Sequence, residues 1–171
     1  MAVSKYLAMI SGAIQEVVAT VTSAGAGDEG KIVALDAAGK LDSSVMPVGI
    51  GADTKSLTAS ENLSAGDLVN VWNDSGTAKA RKADASSASK RAHGFVLSSV
   101  TSGATATVYF EGTITGLSSL TIAGTYFLSG TTPGIITTTA PSTATHIVQQ
   151  IGVAISATEL SFEPQQPITL A

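Results

Sequence analysis

Cysteine is absent from this chain of 171 residues, so no disulfide framework, thiolate metal site or thiol nucleophile can be built from it. Charge is scarce: Asp, Glu, Lys and Arg make up 13% of the sequence and leave a net charge of −4. That acidity argues against nucleic acid as a partner. No apolar run approaches the ~18 residues that a bilayer-spanning helix needs, so no membrane partner is expected. The opening segment, MAVSKYLAMISGAIQEVV, has an early Lys5, but Ser11-Gly12 and Glu16 interrupt any signal-peptide apolar region. One sign of charge is missing from nearly half the chain. From Ala92 onward there is no Lys or Arg, and Glu111, Glu159 and Glu163 are the only acidic side chains.

Hydroxyls take the place of charge. Ser and Thr together account for 42 of the 171 residues. A surface wetted by hydroxyls, on short runs of β-branched residues, is typical of all-β structural proteins, and enzymes usually carry more titratable groups. The length suits one compact domain, or one domain with an arm, and is enough to bury a sizeable core.

The first 22 residues carry two competing periodicities. Tyr6, Leu7, Ile10, Ile14, Val17, Val18 and Val21 fall near helical spacing. Ser11-Gly12, however, separates two β-capable runs, KYLAMI and AIQEVVATV. A mid-helix Gly costs about 1 kcal/mol relative to Ala, so a hairpin is the better expectation. Residues 23–57 are punctuated by Gly, Asp and Pro and read as an extended arm. Asp36 and Gly39 bracket a tight reversal expected between two short strands, and Met46-Pro47 forces extended geometry.

Beyond Leu57 the pattern becomes strand and turn. Strands are expected at Leu68–Trp72, Lys79–Ala83, Gly94–Val100, Thr105–Glu111, Thr125–Leu128, Ile135–Thr138, Ile147–Ala154 and Leu160–Phe162. Turn-like clusters such as NDSG at 73–76 separate them. Ser60–Leu68 is the one stretch able to hold a helical turn. Short strands at this spacing predict a small barrel or sandwich.

The motifs that suggest chemistry dissolve on inspection. Gly25-Ala26-Gly27-Asp28-Glu29-Gly30-Lys31 matches half of a phosphate-binding loop, but Ile32 stands where a Mg²⁺-holding hydroxyl belongs, and Asp28 and Glu29 carry the wrong charge. A flexible Gly loop is the better reading. Ser87-Ala88-Ser89-Lys90 lacks the companion signatures of penicillin-recognising enzymes. His93 and His146 are far apart and have no Cys to join them at a metal. No catalytic constellation, cofactor site or small-molecule substrate is predicted. Five of the nine basic residues, Lys79, Arg81, Lys82, Lys90 and Arg91, crowd into thirteen positions. They are read either as a patch for an acidic partner surface or as charges guarding a strand edge. A nucleic-acid patch is weaker still, because no aromatics interleave.

The segments KYLAMISG, TSAGAGDEGKIVALDAAGKLDSSVMPVGIGADT, ASENLSAGDLVNVWNDSG, KARKADASS, AHGFVLSSVTSGATATVYFEGT and VQQIGVAISATELSFEPQQPITLA resemble capsid decoration (head cement) proteins of tailed bacteriophages. The resemblance covers essentially the whole chain. It implies a structural virion protein, without catalytic residues, that binds the outer surface of the capsid as a homotrimer and clamps neighbouring major capsid protein subunits. The arm segment also recurs in tail-fibre modules, so a tail-fibre or collar module is one alternative. A cell-surface or carbohydrate-binding β-domain is another.

The expected architecture is all-β: an N-terminal hairpin and extended arm over 1–56, and a compact barrel or sandwich over 57–171. The candidate capsid contacts are Lys31, Ile32, Val33, Leu35, Leu41, Met46 and Pro47 on the arm, with Lys79, Arg81 and Lys82 as a second set.

Overall fold

In a computed structural model of the chain, residues 4–46 and 51–171 are described. The fold is all-β, with no helix longer than a three-residue 3₁₀ turn among the described residues. Two compact units divide at Gly51/Ala52.

In the first unit, β1 (Lys5–Ile10) and β2 (Ala13–Val18) form an antiparallel hairpin with Lys5 opposite Val18 and Ile10 opposite Ala13. Ser11 (φ 52°) and Gly12 (φ 82°) both take positive φ, as a two-residue type I′ turn requires. The hairpin reading of this segment therefore holds over the helical one. The arm beyond it bends as expected at Asp36, whose carboxylate accepts the Ala38 and Lys40 amides at 2.8 and 2.9 Å. The two short strands expected on either side of that turn do not form. The backbone of 32–34 is taken instead by Thr20, which donates to Ile32 O and accepts from Ala34 N, both at 2.9 Å.

The second unit contains β3 (Thr54–Ala59), β4 (Leu68–Asp74), β5 (Thr77–Lys82), β6 (Gly94–Phe95), β7 (Thr105–Tyr109), β8 (Gly112–Ile114) and β9 (Thr125–Leu128). It continues with β10 (Ile136–Thr137), β11 (Ile147–Val148), β12 (Gln150–Ala154), β13 (Leu160–Phe162) and β14 (Ile168–Thr169). β3, β5, β4, β6 and β7 close into a barrel in that order. Every pairing in it is antiparallel except β3 with β5. A five-stranded sheet, ordered β10-β9-β12-β13-β8, and a small β11-β14 pair complete the unit. Residues 54–56, which the sequence reading gives to the arm, are part of the barrel's first strand.

Alternation along the barrel strands serves two cores. Val69, Val96, Ala106 and Val108 fill the barrel interior with Leu57, Ala59, Leu63 and Ala80. Their neighbours Leu68 and Phe95 belong to a second core with Ile114, Leu128, Ile151, Leu160 and Phe162. Successive residues of a strand face opposite sides, so apolar pairs such as Leu68-Val69 and Phe95-Val96 mark strands buried on both faces. Phe95 is the hinge of the second core, stacked on Tyr109 at 5.5 Å and meeting Phe162 edge-on at 5.1 Å.

Several expected elements are shorter than their sequence patterns. Ser60–Leu68 makes no helical turn, and the Gly94–Val100 strand ends at Phe95. Both have the same cause: Leu63 exchanges backbone bonds with Val100, Gly66 N donates to Val96 O and Val96 N donates to Asp67 O. The two segments use each other's polar groups in an irregular pairing. The Ile147–Ala154 strand breaks into β11 and β12, which take different partners.

Candidate interaction surfaces

The hairpin presents a two-sided strand pair with one side nearly bare. Tyr6, Ala8 and Val17 share the partly covered face, where Tyr6 Oη accepts the Ile32 amide at 3.3 Å. On the other face Leu7, Met9 and Ile14 are each more than 70% exposed, and Val18 is 50% exposed. A Lys5–Glu16 ion pair borders this apolar surface. The position of each side chain follows from the register, which sets Met9 opposite Ile14 and Leu7 opposite Glu16. A lone two-stranded sheet is marginal in water, and contiguous exposed apolar side chains mark an interaction surface. β1 and β2 each pair on one side only among the described residues, so both outer edges could accept an added strand. The arm residues expected from the sequence are not the whole exposed apolar surface of this unit: the hairpin side chains, absent from those expected contacts, are legible as an alternating Leu-x-Met pattern opposite Ile14.

Of the arm candidates, Ile32, Val33, Leu35 and Leu41 are exposed, whereas Met46 is half-buried in a hollow with Thr20, Val33 and Val45. Pro47 lies outside the described residues. Lys31 is engaged locally, its Nζ 2.6 Å from Asp28 Oδ1. The glycine-rich loop is pinned rather than loose: Asp28 also accepts the Ala24 amide at 2.6 Å. Lys31 first, then that amide, hold the Asp28 carboxyl below its usual range. A carboxylate of the chain itself thus occupies the amide that a phosphate would seek.

The second set, Lys79, Arg81 and Lys82, lies together on β5. β5 is paired with β4 along its length and with β3 at Lys79 and Ala80, so Lys79 does not stand on a free strand edge. Each cation is instead spent inside the unit. Lys79 pairs with Asp74 at 2.6 Å, and Lys82 reaches Asp67, whose side chain is 3% exposed, at 3.1 Å. Arg81 donates to Asn70 Oδ1 at 2.9 Å and to Ser89 O at 3.1 Å, and its guanidinium lies 4.8 Å from the Trp72 ring centre. Lys90 and Arg91, from the same basic cluster, make no salt bridge among the described residues.

A polar network that composition alone did not reveal joins β4 to the segment before β6. Buried Asn70 donates to Arg91 O at 2.8 Å, and the Val71 amide donates to His93 Nδ1 at 3.0 Å. Gln149, also buried, grips Ala92 at both backbone groups, at 2.8 and 3.0 Å. The available signal is amide side chains inside apolar runs: a single Asn in LVNVW and a Gln pair in IVQQI. Burial, reinforced by the nearby Arg91 charge, lowers the His93 pKa below its ordinary 6.5. The unfolded chain then binds more protons than the native one just below that value, so stability is full above pH 6.5 and falls as pH drops toward the native pKa. Thermal unfolding from pH 7.5 to 5 should show this decline, and His93→Asn, whose Oδ1 can still accept the Val71 amide, should flatten it. An equal decline in the variant would assign the effect elsewhere.

Among the described residues no group of three or more His, Cys, Asp or Glu side chains is placed to hold a metal ion. No family model matches this chain, and no curated protein matches it significantly.

Proposed function

We propose that this chain is a tailed-phage capsid decoration protein that binds the outer surface of the shell as a homotrimer and cements contacts between major capsid protein subunits. The observation that carries the reading is the bare apolar face of the β1-β2 hairpin, Leu7, Met9, Ile14 and Val18, on a two-stranded sheet that is only marginal by itself. The sequence resemblance supplies the identity of that partner. Burying each of the three most exposed side chains is worth about 2 kcal/mol, and three hairpins linked in one trimer engage with a high effective concentration. Such a device resists the outward pull of packaged DNA without catalysis or a cofactor.

The test is the copy number of this chain in purified virions relative to the major capsid protein. Near-equimolar amounts are expected. A handful of copies would place it in the tail or collar, and none would overturn the virion reading.

A further inference from the structure

Arg91, His93, Gln149, Pro164, Gln166 and Pro167 line a cleft of about 180 Å³ in the second unit. Its charge is one-sided. Arg91 and His93 are the only titratable or charged side chains among the lining residues, and no carboxylate faces them, although the whole chain is acidic. Gln149 spends its Oε1 and one Nε2–H on the Ala92 backbone, and it carries no charge.

The hydrogen bonds at His93 conflict with one another. The Val71 amide donates to Nδ1 at 3.0 Å, and Arg91 Nε–H points at Nε2 at 2.9 Å. A neutral imidazole has one acceptor nitrogen and one N–H. The Val71 amide is a main-chain donor on a barrel strand and fixes Nδ1 as the acceptor, so the proton belongs on Nε2. Arg91 then aims a donor at a donor. An acceptor bearing negative charge removes the conflict, because Nε2–H and the guanidinium can both donate to it.

We propose that this cleft is a receptor for a carboxylate presented by an acidic side chain of a partner protein. One carboxylate oxygen takes the His93 Nε2–H, and the other takes the Arg91 guanidinium. Size sets the ligand class: the cleft holds a carboxylate and its methylenes but is smaller than the roughly 300 Å³ at which small-molecule sites begin. Pro164 and Pro167 wall it with backbone that has no N–H to donate, leaving the two side chains as its charged anchors. The inference does not rest on the capsid reading, since it concerns the second unit and needs no virion.

The test is a titration of the full ¹⁵N-labelled chain with acetyl-glutamate amide, with sodium acetate and sodium phosphate as comparison arms. The free protein should show His93 as the Nε2–H tautomer. Acetyl-glutamate amide should shift the His93 Nε2 and Arg91 Nε resonances saturably, more tightly than acetate or phosphate. Arg91→Gln, at an exposed position, should fold normally and bind about tenfold more weakly or worse, as expected for loss of a charge-assisted bond. Equal or tighter binding of acetate would make the site one for small free carboxylates, and tighter binding of phosphate would make it a general anion site; either overturns the side-chain assignment. No saturable shift with any probe, an unchanged affinity in Arg91→Gln, or an Nδ1–H tautomer in the free protein would overturn the receptor itself.

Discussion

Replacing Leu7, Met9 and Ile14 together by Thr should weaken attachment to capsids by about 1,000-fold or more while leaving the second unit's unfolding temperature unchanged. The magnitude follows from burial. Three side chains, each over 70% exposed in the free chain, would each forfeit about 1.5–2 kcal/mol of apolar contact, and every 1.4 kcal/mol is tenfold in affinity. Thr keeps the β-propensity of the strands, and the Ser11-Gly12 turn is untouched, so the hairpin itself should persist. Co-sedimentation of the variant with undecorated shells measures the effect. Retained binding would remove the hairpin face from the interface and direct attention to the exposed arm residues Ile32, Leu35 and Leu41.

Gly152→Ala should be the most damaging single methyl in the second unit. Gly152 faces Phe162 across the β12-β13 pair, next to a register shift between Gln150 and Gly152 on the β9 side. A Cβ there would overlap the Ser161 carbonyl oxygen and lie 3.2 Å from a Leu160 methyl. Backbone oxygen cannot rotate aside as a side chain can, so the strands must separate and disturb Leu160 and Phe162 in the core they share with Phe95. Overpacking of this kind costs about 3 kcal/mol, a large share of the 5–15 kcal/mol that typically stabilises a domain. A fall of roughly 10 °C in the unfolding temperature is expected. Gly103→Ala, where a Cβ would meet nothing within 4 Å but φ is +84°, provides the contrast: backbone strain without a collision, and a smaller loss. Equal losses for the two would show that conformation, not collision, sets the cost at Gly152.

What the sequence made legible was whatever a local pattern decides. Ser11-Gly12 and Ser75-Gly76 sit between alternating runs, and both become two-residue turns with positive φ at each position. The barrel strands with adjacent apolar pairs were also visible. β3 was not: TKSLTA contains one large apolar residue, and only pairing with β5 and β7 makes it a strand. The fate of the basic cluster was half-legible. Once the Ser75-Gly76 turn fixes the β4-β5 register, Lys79 and Lys82 each fall one diagonal step across the hairpin from Asp74 and Asp67, the partners they find. The Arg91–His93 cleft was out of reach, because it depends on where residues 149 and 164–167 cross the loop before β6, and no local spacing encodes that crossing.

The way the barrel closes has a consequence for how the chain is made. Leu57 on β3 lies opposite Ala106 on β7, roughly fifty residues later, so the first strand of the unit has no closing neighbour until the ribosome has released β7. Pairings so distant in sequence form slowly. Even a closed barrel would still show Leu68 and Phe95 on its outer wall, since the residues that cover them extend to Phe162. Through that interval the nascent chain carries its second core inside out, and its yield in the cell should depend on chaperone supply more than its finished stability suggests.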